Sequence, residues 1–148
     1  AGIPVMGHIG LTPQHLAALG GFKVQGKTAE AALLLMEDAQ ALAEAGCFAL
    51  VLECVPAELA ARITSAVSVP TIGIGSGPAT DGQVLVIHDV LGLYDRFRPK
   101  FVKAYANLWE QGLAALSSYK AEVESGEFPG PEHSFAMPKE ELAKLDKK

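Results

Sequence analysis

From Phe48 to Val55 the chain reads FALVLECV, apolar at every position but Glu53. A run this short and this uniformly apolar predicts a strand of a parallel sheet, buried on both faces. Before it, Leu34, Leu35, Ala39, Leu42 and Ala45 recur at helical spacing. This predicts a helix N-capped by Thr28 or its neighbours and stopped by Gly46. After the strand, PAELAARITSAV predicts a short helix, with Pro56 near its first turn and Leu59, Ile63 and Val67 facing inward. VPTIGIGSG predicts a third strand. At the start, IPVMGHIGL (3–11) reads as a strand running into a glycine-rich loop, and GGFKVQGKT (20–28) as a loop. A long helix is expected from about Lys100 to Glu124, with Phe101, Tyr105, Leu108, Leu113, Leu116 and Val123 on one face. The charged segment AMPKEELAKLDKK reads as a peripheral tail with one loose helical turn.

Strand, helix, strand, helix, strand is the rhythm of a parallel α/β sheet built from βαβ units. One segment departs from it. Between Gly77 and Gln83 there is too little chain for a crossover helix. Either GQVLVIHD is a strand reached by a degenerate crossover, which is the favoured reading, or Thr80 or Asp81 caps a helix running through it. About four strands are too few for a barrel. The opening AGIPV resembles the middle of a βα rhythm, so the expectation is the back half of a larger domain.

Composition narrows the class. The chain has 148 residues, 49% of them hydrophobic, enough for one core. Its net charge of −5 comes without a lysine or arginine cluster, which argues against a nucleic-acid partner. No apolar run approaches the roughly 20 residues of a membrane span, and no basic, apolar leader opens the chain. Cys47 and Cys54 fit reduced core thiols better than a disulfide framework or a zinc site. The expectation is a cytoplasmic protein with no membrane or nucleic-acid partner.

Candidate chemistry gathers at strand ends. His8 falls at the carboxyl end of the first strand, Glu53 near that of the second, Ser76 after the third, and His88 and Asp89 at the end of a fourth. In parallel α/β folds this edge is where ligands bind. Each residue also has a plain structural reading. Glu53 could be an ion-pair partner or a solvated residue at the sheet mouth, His8 a hydrogen-bonded loop histidine, His88 and Asp89 a strand cap. A carboxylate in an apolar run is nonetheless costly without a partner, and burial makes it a better base. GIGSG (73–77) lacks the full G-x-G-x-x-G pattern and reads as close backbone approach rather than a phosphate loop. Lys23 or Lys27 could face an anion from a mobile flap, or simply be solvated.

In chain order, GHIGLTPQ, GGFKVQGK, LVLECVP, IGIGSGPATDGQVLV and GEFPGPEHSF resemble the C-terminal half of the ketopantoate hydroxymethyltransferase family, over Ile3 to Phe135. The resemblance implies a (β/α)8 TIM barrel of the phosphoenolpyruvate/pyruvate superfamily. Residues 1–135 would supply its C-terminal half and 136–148 a charged tail. It implies transfer of a hydroxymethyl group from 5,10-methylenetetrahydrofolate to 3-methyl-2-oxobutanoate, giving 2-dehydropantoate for pantothenate synthesis through a magnesium-stabilised enolate. By the same likeness Glu53 is the proton acceptor and His8 lines the oxo-acid pocket. The implied partners are the two substrates, the N-terminal half of the same enzyme, and further copies in a homo-oligomer such as a decamer. The family's Mg2+ ligands, two aspartates and a glutamate, come from the first half of the barrel. No counterpart precedes Ile3, so no metal ligand is expected in this chain, and the chain alone is expected to be inactive. Two other readings stay open: another 2-oxo-acid lyase or transferase of the superfamily, and a non-catalytic half-barrel binding module.

Overall fold

Thr28 begins the first helix as its sequence predicts: its backbone is extended and its hydroxyl accepts the Ala31 N–H at 3.2 Å. The helix, α1, covers Ala29–Glu44. It ends where Gly46 takes φ +94°, a left-handed conformation that side chains resist. The computed structural model describes residues 2–15, 17 and 20–145. Of the predicted tail, residues 146–148 lie outside the described residues.

Among the described residues, four strands form one parallel sheet in the order β1-β2-β3-β4: β1 (Met6–Gly10), β2 (Ala49–Glu53), β3 (Thr71–Ile74) and β4 (Gly82–Gln83). Helix α2 (Ala57–Ala66) connects β2 to β3. Leu50 and Leu52 of β2, with Ile9 of β1, turn toward the helices. There they pack with Ala39 of α1 and with Leu59, Ala60 and Ile63 of α2. Fully burying one such leucine is worth roughly 1.5–3 kcal/mol. Side chains alternate along a strand, so His8, Val51, Glu53, Ile72 and Ile74 share the opposite face, where they are only half-buried.

That alternation corrects the expectation that FALVLECV is buried on both faces. Among the described residues, helices cover one face of β2 only, and Phe48, before the strand, is exposed. The face predicted for α1 needs a similar correction. Ala39 is buried, and Leu35 and Leu42 pack on the core, but Leu34 and Ala45 are exposed.

The crossover from β3 to β4 is as degenerate as the sequence suggests. Residues 75–81 make it without a helix. Asp81 closes it, its Oδ2 accepting both the Thr71 N–H at 2.8 Å and the Thr71 hydroxyl at 3.0 Å. Gln83 Nε2 adds bonds to the Gly77 carbonyl and the Thr80 hydroxyl. The favoured strand through GQVLVIHD is too long, however. Only Gly82–Gln83 pair, and α3 (Ile87–Leu91) follows, so His88 and Asp89 sit on a helix and do not close a strand.

The bonds from Thr71, backbone first and hydroxyl second, hold the Asp81 carboxyl below its ordinary value of 3.8. A depressed folded-state pKa contributes stability that is present above the unfolded value and lost as pH falls through the folded one. Asp81→Asn keeps the acceptor but loses the charge. The parent is therefore expected to resist urea better than Asp81→Asn at neutral pH. The gap should close as pH falls below 3.8, read from unfolding midpoints across that range.

The expected helix from Lys100 begins later. Residues 100–107 are not helical, and α4 covers Leu108–Ser125. Tertiary contacts outweigh the helical pattern here. The Tyr105 N–H donates to the Val90 carbonyl at 2.8 Å, Val102 is buried, and the Phe101 ring lies against Gly75. The chain divides into two units, Ala1–Ala106 and Asn107–Lys148. In the second, Tyr119 and His133 both pack against Phe128, with ring centroids 5.6 and 5.0 Å from it. The tail holds a helix of about two turns, α5 (Lys139–Leu145), in place of one loose turn. Among the described residues no helix is long and apolar enough to cross a membrane.

Candidate active site

The parallel register pairs Gly10 with Glu53 and Glu53 with Ile74 at the carboxyl ends of β1, β2 and β3. His8 lies opposite Val51, two residues short of Glu53 and on the same face. That diagonal brings His8 Nε2 to 3.0 Å from Glu53 Oε2. A carboxylate oxygen can only accept, so Nε2 carries the hydrogen and donates. Nδ1 and Glu53 Oε1 are left for other contacts. The side chains are 30% and 17% exposed, open enough for a small molecule to reach yet largely shielded from water.

The backbone around Glu53 is heavily bonded. Leu11 N–H donates to the Glu53 carbonyl at 2.8 Å and Cys54 N–H to the Ile74 carbonyl at 2.9 Å. Gln25 N–H, from the loop predicted as a flap, donates to the Cys54 carbonyl at 2.9 Å. Cys54 itself stands at φ +50°, left-handed for a residue with a Cβ. Such strain persists only where surrounding bonds over-determine it. Burial, and then the neighbouring charge of Glu53, push the Cys54 thiol above its ordinary value. Both causes disfavour the thiolate, the form in which a cysteine is a nucleophile.

Of the other sequence candidates, Ser76 is buried and bonds to the backbone either side of Glu53 and Cys54. His88 and Asp89 lie on α3 and take no part in the pair. His15 and His133 belong to 3-10 turns, His15 bonding the Thr12 hydroxyl. Lys23 and Lys27 are exposed. The residues that sequence reasoning missed are Gly10, Cys54 and Gln25. They act through the backbone, and only the Gly10 of GHIG left a sign.

Two openings lie in the neighbourhood of the pair; His8 borders the first, and Glu53 lines neither. One, about 420 Å³, is bordered by His8, Gly10, Thr12, His15, Gln25 and Asp38. The other, about 760 Å³, lies over the ends of β2 and β3, with Cys54, Val55, Gly75, Gly77, Lys100 and Phe101 in its wall. Among the described residues no group of three or more His, Cys, Asp or Glu could hold a metal ion.

Comparison with known proteins agrees over nearly the whole chain. The family model described as Ketopantoate hydroxymethyltransferase matches residues 1–131. A 3-methyl-2-oxobutanoate hydroxymethyltransferase of Syntrophobacter fumaroxidans is 67% identical over 98% of this chain and 51% of its own length. Proteins of the same name from Oleidesulfovibrio alaskensis and Moorella thermoacetica are 64% and 67% identical, over 95% and 91% of this chain and 49% and 50% of theirs. The chain spans about half the length of these curated relatives.

Proposed function

The chain belongs to the ketopantoate hydroxymethyltransferase family, and on that premise we propose that it carries the proton-abstracting half of a hydroxymethyl transfer to 3-methyl-2-oxobutanoate. The observation that carries the reading is the His8–Glu53 hydrogen bond between adjacent parallel strands, reaching from mid-β1 to the carboxyl end of β2. The methylene donor is 5,10-methylenetetrahydrofolate and the product 2-dehydropantoate. We assign the activity to a polypeptide of the relatives' length, of which this stretch is about half. The two cysteines are free and buried, in keeping with a reducing, cytoplasmic setting.

Carbon 3 of the oxo acid is acidic because its carbanion delocalises onto the neighbouring carbonyl. Glu53 Oε1, free of the bond to His8, takes the C3 proton. The C–H electron pair becomes the C2–C3 double bond, and the carbonyl oxygen becomes an enolate. The carbon end of that enolate then bonds to the methylene carbon, both C–N bonds from that carbon to the folate break, and water supplies the hydroxyl oxygen. The folate leaves as tetrahydrofolate, its two nitrogens taking one proton from that water and the C3 proton from Glu53. His8 fixes the carboxylate through Nε2 and, on this reading, lines the oxo-acid site beside it. Magnesium would stabilise the enolate oxygen. The described residues do not form a site for it, so the ion is assigned to residues beyond this stretch and no step here depends on it.

The test is hydrogen exchange without folate. A polypeptide of the relatives' length, given 3-methyl-2-oxobutanoate in deuterated water, should replace the C3 hydrogen. It should form 2-dehydropantoate once the methylene donor is added. Absence of both would remove the reading. His8→Ala is expected to lower kcat/KM for exchange by roughly 10–100-fold, the scale of a misplaced catalytic group. Exchange rates over a range of oxo-acid concentrations would check this.

A further inference from the structure

The segment following Glu53 holds more hydrogen bonds than the strand needs, and one of the groups making them is a buried side chain. Ser76 is 1% exposed. Its hydroxyl donates to the Leu52 carbonyl at 2.7 Å and accepts the Val55 N–H at 3.3 Å. The Ile74 carbonyl is farther, at 3.4 Å, so the single proton goes to Leu52. Three successive peptide planes are therefore held. Ser76 grips the plane between Leu52 and Glu53. Leu11 and the Ile74 carbonyl grip the plane between Glu53 and Cys54. Gln25, and Ser76 again, grip the plane between Cys54 and Val55.

The direction of the Glu53 side chain is set by the two planes that flank its Cα. Among these bonds, Ser76 supplies the one on the N-terminal side. It also clamps the far side of the left-handed Cys54, so the strained turn cannot relax by rotating back along β2. From this geometry we propose that Ser76 is a positioning residue for Glu53, holding the carboxylate against His8 by fixing the peptides on both sides of the turn. The inference rests on the reading of Glu53 as the base.

The experiment measures C3 deuterium exchange and thermal unfolding on the full-length polypeptide. Ser76→Ala is expected to lower the exchange kcat roughly tenfold, with KM for the oxo acid changed by no more than about twofold. Ser76→Cys keeps the size with a weaker donor and should fall between, and it gives the same reading if Ser76→Ala does not fold. Adding Cys54→Gly to Ser76→Ala relieves the left-handed strain. It should recover thermal stability without recovering exchange, which a purely structural serine would not do. Parent-rate exchange per folded molecule in Ser76→Ala, with Glu53→Gln inactive, overturns this inference and leaves the function standing. Parent-rate exchange in Glu53→Gln overturns both.

Discussion

Glu53→Gln is expected to lower turnover of the full-length enzyme by roughly 10²-fold or more, the scale of general-base catalysis. Substrate binding should be spared, because glutamine keeps the size and an oxygen that can accept the His8 Nε2–H. It cannot take up a proton at neutral pH. The loss should appear in C3 deuterium exchange measured by NMR without folate, which isolates enolisation from methylene transfer. A bracing Glu53 behaves otherwise. Its replacement would cost roughly 1–3 kcal/mol if it left a buried partner unsatisfied, and exchange per folded molecule would stay at the parent rate. A variant that melts lower and exchanges normally would make the acid a brace and some other group the base.

The parts of this fold legible in the sequence are those where local chemistry and tertiary packing agree. Thr28 and Gly46 bound α1 because capping and left-handed turns are local events. The apolar run of β2 marks a strand whatever covers it. The start of the long helix was not legible. The spacing of Phe101 and Tyr105 suits a helix, but the contacts of residues 101–105 with Gly75 and α3 are long-range. Residues 82–91 failed for another reason. They hold two short elements of different type, and one periodicity read across both fits neither.

The candidate site divides the same way. Glu53 stood out as a carboxylate in an apolar run, and His8 and Ser76 as polar residues at predicted strand ends. The sequence could not show that His8 reaches Glu53, because that depends on the register between β1 and β2. Nor could it show the turn at Cys54. A left-handed cysteine has no compositional signature, and the bonds that hold it come from Gln25, Ile74 and Ser76, each distant in sequence.

Gly10 is where a single methyl group should do the most damage. It stands at φ +90°, and a Cβ there would collide with the Glu53 carbonyl oxygen and lie 2.7 Å from a Val55 methyl. The first of these is backbone and cannot swing aside. The Leu11 N–H to Glu53 bond closes the gap from the next residue. Gly46 supplies the control, with a similar φ of +94° and nothing within 4 Å of a Cβ. Gly46→Ala should therefore cost only the strain of a left-handed alanine, about 1–2 kcal/mol. Gly10→Ala carries the same strain and must also push β1 from β2, for a total on the order of 3–5 kcal/mol. Urea unfolding of the two variants beside the parent measures the difference. Equal losses would mean that strain alone matters and that the strands can part without cost. In the full-length enzyme, Gly10→Ala should also slow C3 exchange per folded molecule, because the displaced peptide is the one that carries Glu53.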